Sequence, residues 1–356
     1  MLALLLAGCT TSVTVSYRKP SRVNMGPYRT LAVASVRDKS SFLNPPFFIR
    51  TADPESADKY SSVFSSYSAD LSKTVAGDAT GMLMKSLGSA GFFDIVPPES
   101  TDKILGGSYW GVTRKELFEE KGVDAVLIPK IETMTANEWI SSRIRESLEK
   151  DENGNSVTKT EKLYFYEWEI YLRISYTIID SMTEEVIAKN SFDGRLSGSS
   201  EITTELFSPN IMRSEYGKIV SGLVRSIRND LIPATYEFNV SLMKDKTGIP
   251  EAVRAYEDLE DGKFSSALDG LLSVWESHKS VPAGYNAAVL IVSTGDFERA
   301  ISLLDEVIGL GGGKDAAELR MKLASAWKDN ALTEDMLGSG KPEAGSGYDI
   351  YDTVGL

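Results

Sequence analysis

Apolar residues in the first two thirds of the chain follow the spacing of buried strands and of one long helix. The apolar run in Tyr28–Val36 predicts a strand buried on both faces, and Val123–Pro129 predicts another buried strand. Phe92–Val96 predicts a further strand, which Pro97-Pro98 ends. Between Tyr28–Val36 and Phe92–Val96, apolar residues four positions apart predict one helix face; they are Leu71, Val75, Ala79, Leu83 and Leu87. A capping box at Thr113 and Glu116 predicts a second helix, so the order is strand, helix, strand, helix, strand.

The clearest strand of the chain shows strict alternation. Its apolar members predict a face turned to the core, and they are Tyr164, Tyr166, Trp168, Ile170, Leu172, Ile174, Tyr176 and Ile178. The intervening residues are mostly polar and predict a solvent-exposed face on the other side of the strand. The turn signal Glu152-Asn-Gly-Asn155 makes this strand one arm of a hairpin over about 133–180. A helix over 212–231 and a strand over 236–242 follow.

Two similar motifs, 33 residues apart, mark the carboxyl-terminal part. They are Gly262-Lys-Phe-Ser-Ser-Ala267 and Gly295-Asp-Phe-Glu-Arg-Ala300, and the spacing resembles that of tetratricopeptide repeats. A generic helical hairpin is the alternative. Because two repeats need neighbours to cover their faces, we expect a capping helix over 315–328, with Leu319, Leu323 and Trp327 turned inward.

These patterns predict an α/β (α+β) sandwich-like domain with a mixed sheet over residues 28–243. An all-α, tetratricopeptide-like helical repeat domain is expected over 248–330. Residues 10–27 are polar and are predicted to form a linker. Residues 331–356 are predicted to form a flexible tail.

The amino terminus resembles the signal of bacterial lipoproteins. Apolar Leu2, Leu4 and Leu5 lead into Leu6-Ala7-Gly8-Cys9, which predicts cleavage before Cys9 and a covalent lipid on it. The positively charged start typical of such signals is missing, which suggests a truncated start, and a short buried strand is the alternative. The resemblance implies a cell-envelope protein attached to the membrane by its lipid, and Thr10 favours the outer membrane, on its periplasmic or surface side.

Composition narrows the function. The chain has 356 residues and a net charge of −13, which disfavours nucleic acid because phosphate backbones are bound by clustered Lys and Arg. Cys9 is the one cysteine, so no disulfide forms within the chain and no Cys-rich zinc site is expected. We therefore expect no cofactor apart from the lipid.

Residues 28–232 resemble the periplasmic domain shared by curli-secretion lipoproteins, lipoproteins that activate penicillin-binding proteins, and the amino-terminal domain of TolB. The carrying segments are Leu31–Val36, Ala79–Leu87, Phe92–Pro97, Gly122–Ile128 and Ile178–Ile187. The resemblance implies a non-enzymatic module that contacts envelope proteins or peptides. It is also compatible with a homo-oligomer. A subunit of a curli-type outer-membrane secretion pore is the alternative, but the first hairpin arm is charged where a lipid-facing strand must be apolar.

Catalytic motifs are weak. The sole histidine, His278, ends a repeat helix, and Gly106-Gly-Ser-Tyr-Trp110 lacks the last glycine of a nucleophile elbow. A less favoured hypothesis is an enzyme that acts on glycan or peptidoglycan through two carboxylates from distant positions of the chain.

A partner site is predicted in the second repeat. The resemblance to tetratricopeptide repeats places Tyr285, Asn286, Val289 and Ser293 on the concave groove. Asn286 could hold the backbone of an extended peptide through its amide. Its alternative role is to satisfy a carbonyl of a neighbouring loop.

Overall fold

The computed structural model describes residues 12–38, 47–51, 69–106, 114–150, 152, 156–202 and 211–338. This part of the chain forms two compact units. Residues 27–232 build the first, which we call the sheet unit. Residues 12–26 and 233–338 build the second, which we call the helical unit.

The described strands are β1 Ser12–Lys19, β2 Thr30–Val33, β3 Arg37–Asp38, β4 Phe47–Thr51, β5 Asp94–Val96, β6 Ala125–Lys150, β7 Ser156–Asp180, β8 Val186–Glu201 and β9 Ala234–Ser241. The described helices are α1 Ala69–Gly88, α2 Pro98–Gly106, α3 Arg114–Glu120, α4 Ile211–Leu231, α5 Pro250–Glu260, α6 Phe264–His278, α7 Val281–Ser293, α8 Phe297–Gly309 and α9 Gly313–Gly338.

The sheet unit is built on a seven-stranded mixed sheet with the order β5-β2-β6-β7-β8, and β3 and β4 also pair with β6. Strand β2 runs parallel to β5 and β6, whereas β6, β7 and β8 are antiparallel. Parallel pairs need a crossover and antiparallel pairs can be joined by turns. The predicted mixed sheet is confirmed.

Strand β7 has the predicted one-sided core. Trp168, Ile170 and Tyr176 are buried, whereas Glu169 and Arg173 on the opposite face are at least partly exposed. Gly198 of β8 pairs with Trp168, and the Trp168 ring lies over it, because a Cβ at this position would lie 2.2 Å from the ring. The alternation therefore records burial along most of β7. Ser175, on the face predicted to be solvent-exposed, is an exception: it is 3% exposed, and its hydroxyl donates to Glu132 Oε1 at 2.8 Å.

Helix α1 buries the predicted stripe through Val75, Ala79, Leu83 and Leu87. Helix α2 was not predicted, because Pro97-Pro98 reads as a strand stop. Proline is also well suited to the first turn of a helix, where no backbone donor is required, and Pro98 begins α2. The helix buries Thr101 and Ile104.

The helical unit contains the predicted glycine turns. Gly262 and Gly295 adopt left-handed φ values of +76° and +94° between α5 and α6 and between α7 and α8, a conformation that favours glycine. Ala267 and Ala300 are fully buried.

Helix α9 differs from the expected cap in two ways. Leu319 and Leu323 face inward as expected, but Trp327 is 45% exposed and Ala326 is buried instead, because a 3.6-residue period carries the stripe from 319 through 323 to 326. The helix also continues to Gly338, so residues 331–338, expected in a tail, are helical. Residues 339–356 lie outside the described residues.

The expected linker contains a strand. All eight residues of β1 pair antiparallel with β9, from Ser12 opposite Ser241 to Lys19 opposite Ala234. Val13, Val15 and Val240 are buried in the core of the helical unit. This ribbon places the division between the units at Pro233 rather than 243, and the helical unit is not all-α.

Candidate functional site

The predicted groove helix, α7, is the central helix of its unit. Ten consecutive residues, Ala283 to Val292, are buried. A helix that is apolar all round is surrounded by protein rather than lining a surface. The run Ala287-Ala-Val-Leu-Ile-Val292 carried this signal in the sequence.

The four predicted contact residues therefore lie in different surroundings. Asn286 and Val289 are fully buried, and Tyr285 is 5% exposed. Ser293 is half-buried, and its hydroxyl donates to the Leu290 carbonyl at 2.7 Å. The structure does not bring these four side chains together on one accessible surface, so the predicted groove needs correction.

Asn286 holds the chain's own backbone. The Met243 N–H donates to Asn286 Oδ1 at 2.8 Å, and Asn286 Nδ2 donates to the Met243 carbonyl at 2.8 Å. Tyr256 Oη donates to the same carbonyl at 3.1 Å. Of the two roles predicted for Asn286, this is the structural one, with the extended segment after β9 in the place of a peptide.

The surroundings of Tyr256 in this cluster change the pKa of its hydroxyl. Burial, reinforced by the negative charge of Asp245, raises the pKa of Tyr256 to about 12. Its hydroxyl thus stays a neutral donor at physiological pH. The cluster fixes the path of residues 242–244.

A cavity of about 510 Å³ opens beside this fixed segment. One wall is formed by residues 238–241 of β9 and the segment 242–244 that follows it. The opposite wall is formed by residues of α7 and α9, which are Pro282, Tyr285, Asp315, Glu318, Leu319 and Lys322. Tyr285 is the one predicted site residue that lines it. Burial and the charge of Asp315 raise the pKa of the Tyr285 hydroxyl, so that group is also a neutral hydrogen-bonding partner.

The rim of the cavity is polar and carries both signs of charge. Asp315, Glu318 and Lys322 are exposed along one side of α9, and Lys244 is exposed on the other wall. Glu318 lies 3.5 Å from Lys314 at the surface. The residues of α9 were predicted to form a capping helix, and its charged positions belong to no sequence motif that indicates a binding site.

A second cluster lies on the sheet unit, on the face of β6 and β7 opposite the buried one. Glu167 accepts bonds from Trp139 Nε1 at 2.7 Å, Ser141 Oγ at 2.7 Å and Arg143 Nη2 at 2.8 Å. The Ser141 hydroxyl makes the largest contribution to lowering the pKa of Glu167, with Arg143 and Trp139 adding to it.

This cluster does not have the chemistry of a glycosidase acid. A general acid needs a carboxyl group whose pKa is raised, whereas Glu167 is held ionised by three donors. The next carboxylate along this face, Glu169, lies 3.4 Å from Arg195. The arrangement suits a rigid, hydrogen-bonded surface.

Beyond this cluster, β6 and β7 extend as a two-stranded arm. Residues 142–150 and 156–162 are exposed, and cross-strand ion pairs such as Lys159 with Glu149 at 3.1 Å lie along it. Ile144 and Leu148 are 71% and 77% exposed. The arm therefore presents isolated apolar side chains among charges.

Two predicted motifs lie partly or wholly outside the described residues. They are Cys9, the predicted lipidation site, and residues 107–110 of the Gly106–Trp110 motif. Within the described ranges, no group of His, Cys, Asp and Glu residues is arranged to hold a metal ion. No described helix is both long and apolar enough to cross a membrane.

Comparisons with known proteins give weak similarities. No family model matches the chain, and no curated protein is similar to it in sequence. Among solved structures, a PelC dodecamer from Paraburkholderia phytofirmans is 9% identical, with 61% of this chain and 98% of that chain covered and a TM-score of 0.22. Lipoprotein GNA1162 from Neisseria meningitidis is 12% identical over 56% of this chain and 99% of that one, with a TM-score of 0.23. These scores are too low to carry an argument about function.

Proposed function

We propose that this protein is a non-enzymatic lipoprotein of the cell envelope that binds an extended segment of another protein. The binding site is the cavity between residues 238–244 and helices α7 and α9. The observation that carries the proposal is the end of strand β9, followed by a segment that Asn286 and Tyr256 fix at Met243, beside a cavity of about 510 Å³.

Strand β9 supports binding by strand addition. In the described residues β9 pairs only with β1, so its other edge keeps backbone donors and acceptors. Such an edge can add an extended peptide, with the main chain providing affinity and side-chain pockets providing specificity. The neutral Tyr285 hydroxyl and the charges of α9 are the groups that would select the peptide's side chains.

The glycine turns at Gly262 and Gly295 support a tetratricopeptide-like character for α5 to α8. The ribbon of β1 and β9 lies against α7 and α9. In this interpretation it covers part of the concave surface to which a peptide binds in such repeats. The proposed binding site therefore lies between β9 and α9 and not on α7.

The anchor is tested by replacing the acylated residue. Two or more acyl chains hold a protein stably on a membrane, at roughly 0.8 kcal/mol per buried methylene. Cys9→Ala is therefore expected to move the protein from the membrane fraction to the soluble fraction. Retention of the variant in the membrane fraction contradicts the proposed anchor.

The binding site is tested by crosslinking in cells. A photo-reactive residue at Lys322 or Glu318 is expected to capture a defined partner, and the same residue at Glu298, exposed on α8, serves as the control. Ser241→Trp should fill the cavity and abolish the adducts while the circular dichroism stays unchanged. Equal capture from Glu298, or adducts that survive Ser241→Trp, contradict the proposed site.

A further inference from the structure

The start of β1 limits how far the helical unit can stand from its anchor. Ser12 is the first residue of the strand and lies opposite Ser241. Only Thr10 and Thr11 separate Ser12 from Cys9. Three Cα–Cα steps span at most about 11 Å, so the lipidated residue is held close to this end of the ribbon.

The strand cannot act as a longer tether by peeling away at low cost. Val13 and Val15 are 3% and 0% exposed in the core of the helical unit. The Thr14 hydroxyl donates to Asn239 Oδ1 at 2.8 Å, and Arg18 Nη1 lies 3.0 Å from Glu334. Because detaching β1 would expose both valine side chains to water and break these polar contacts, the strand stays paired with β9.

The same end of the ribbon borders the cavity. Ser241, the partner of Ser12, is one of its lining residues. Adjacent strands are about 4.8 Å apart, which places the backbone of Ser241 within about 16 Å of Cys9. The charged residues lining the cavity are balanced, with Lys244 and Lys322 against Asp315 and Glu318, so this region lacks the excess negative charge of the chain as a whole.

We infer that the helical unit is held directly against the lipid surface, without a spacer, with the Ser12–Ser241 end of the ribbon facing the headgroups. The inference rests on the proposed acylation of Cys9. It also restricts the ligand of the cavity to a protein segment presented at the membrane surface. Partners that stand far from the bilayer are out of reach.

Fluorescence quenching by lipids tests the distance. Because Cys9 is the one natural cysteine and is acylated, Ser241→Cys or Lys244→Cys provides a single labelling site. The acylated protein is reconstituted in vesicles of phosphatidylethanolamine and phosphatidylglycerol that contain a headgroup quencher. The matched control carries a 20-residue Gly-Ser insert between Thr11 and Ser12, with a root-mean-square length of about 25 Å.

Strong quenching at both labels, largely lost in the insert variant, is the expected result. Equal quenching with and without the insert overturns the inference. Mass spectrometry of the Cys9 peptide and co-sedimentation with vesicles test the acylation of Cys9 separately from the close placement of the helical unit on the membrane. Acylated, sedimenting protein with unquenched labels refutes the close placement and leaves the anchor intact. Unmodified Cys9 refutes both.

Discussion

The hairpin of β6 and β7 and the ribbon of β1 and β9 have the same alternating signal but differ in how the chain assembles them. In the hairpin, only five residues of the chain separate the end of β6 at Lys150 from the start of β7 at Ser156. In the ribbon, Thr14 meets Asn239 across 225 residues, and a whole folded unit lies between them in the chain. Alternation was sufficient to predict β7, whereas the short alternation of β1 was interpreted as a polar linker because its pairing partner lies more than 200 residues away in the chain.

The two strand pairs also differ in how many side chains they bury. Strand β7 is long enough to bury a full row of side chains by itself, so its pattern is unmistakable. Strand β1 buries Val13 and Val15 only, and its other residues are polar or half-exposed. Four predictions test this contrast.

The largest effect is expected in the core of the sheet unit. Trp168→Ala removes a side chain that is 6% exposed and should lower the free energy of unfolding by roughly 3–5 kcal/mol. Glu169→Ala, on the opposite face, should change it by less than about 0.5 kcal/mol. Urea denaturation of both variants measures the difference, and equal effects would mean that the two faces of β7 are not distinct.

The next effect concerns the segment that follows β9. Asn286→Ala leaves the partly buried Met243 N–H without its acceptor, which should cost about 1–3 kcal/mol. Hydrogen exchange at the Met243 amide should accelerate in the same variant. Lys246→Ala, exposed farther along the same segment, is the control, and an unchanged exchange rate at Met243 in the Asn286 variant contradicts the proposed clamp.

A smaller loss is expected in the ribbon itself. Val15→Ala removes two methyl groups from the core of the helical unit and should cost about 1.6 kcal/mol, at about 0.8 kcal/mol for each. Ser16→Ala, at an exposed position, should be neutral. If both variants unfold like the parent protein, residues 12–19 act as the linker that their composition suggests.

The smallest effect is a pH dependence at Glu167. Its pKa in the folded protein is lowered, so the ionised carboxylate stabilises the fold above its ordinary pKa, and this contribution is lost as the pH falls through the lowered value. Thermal melts between neutral pH and about pH 3 should show a shallower decline for Glu167→Gln than for the parent. Equal slopes for the parent and Glu167→Gln would contradict the contribution of this carboxylate.

Sequence alone was sufficient where neighbours in the chain are neighbours in space. The face of β7 that carries Trp168, the buried stripe of α1 and the turns at Gly262 and Gly295 all follow from periodicity or from a backbone conformation that glycine adopts most readily. Helix α2 was missed because a proline that ends a strand and a proline that begins a helix have the same local signal.

Tertiary structure decided the rest, because those features depend on contacts between distant residues. Residues 12–19 are polar enough to suggest a linker, and only the uncovered side of β9 makes them a strand. Asn286 could serve a peptide or its own chain, and the position of Met243, 43 residues away, settles which. The cavity between β9 and α9 exists because two segments brought together by the helical core leave space between them, and no local pattern records that space.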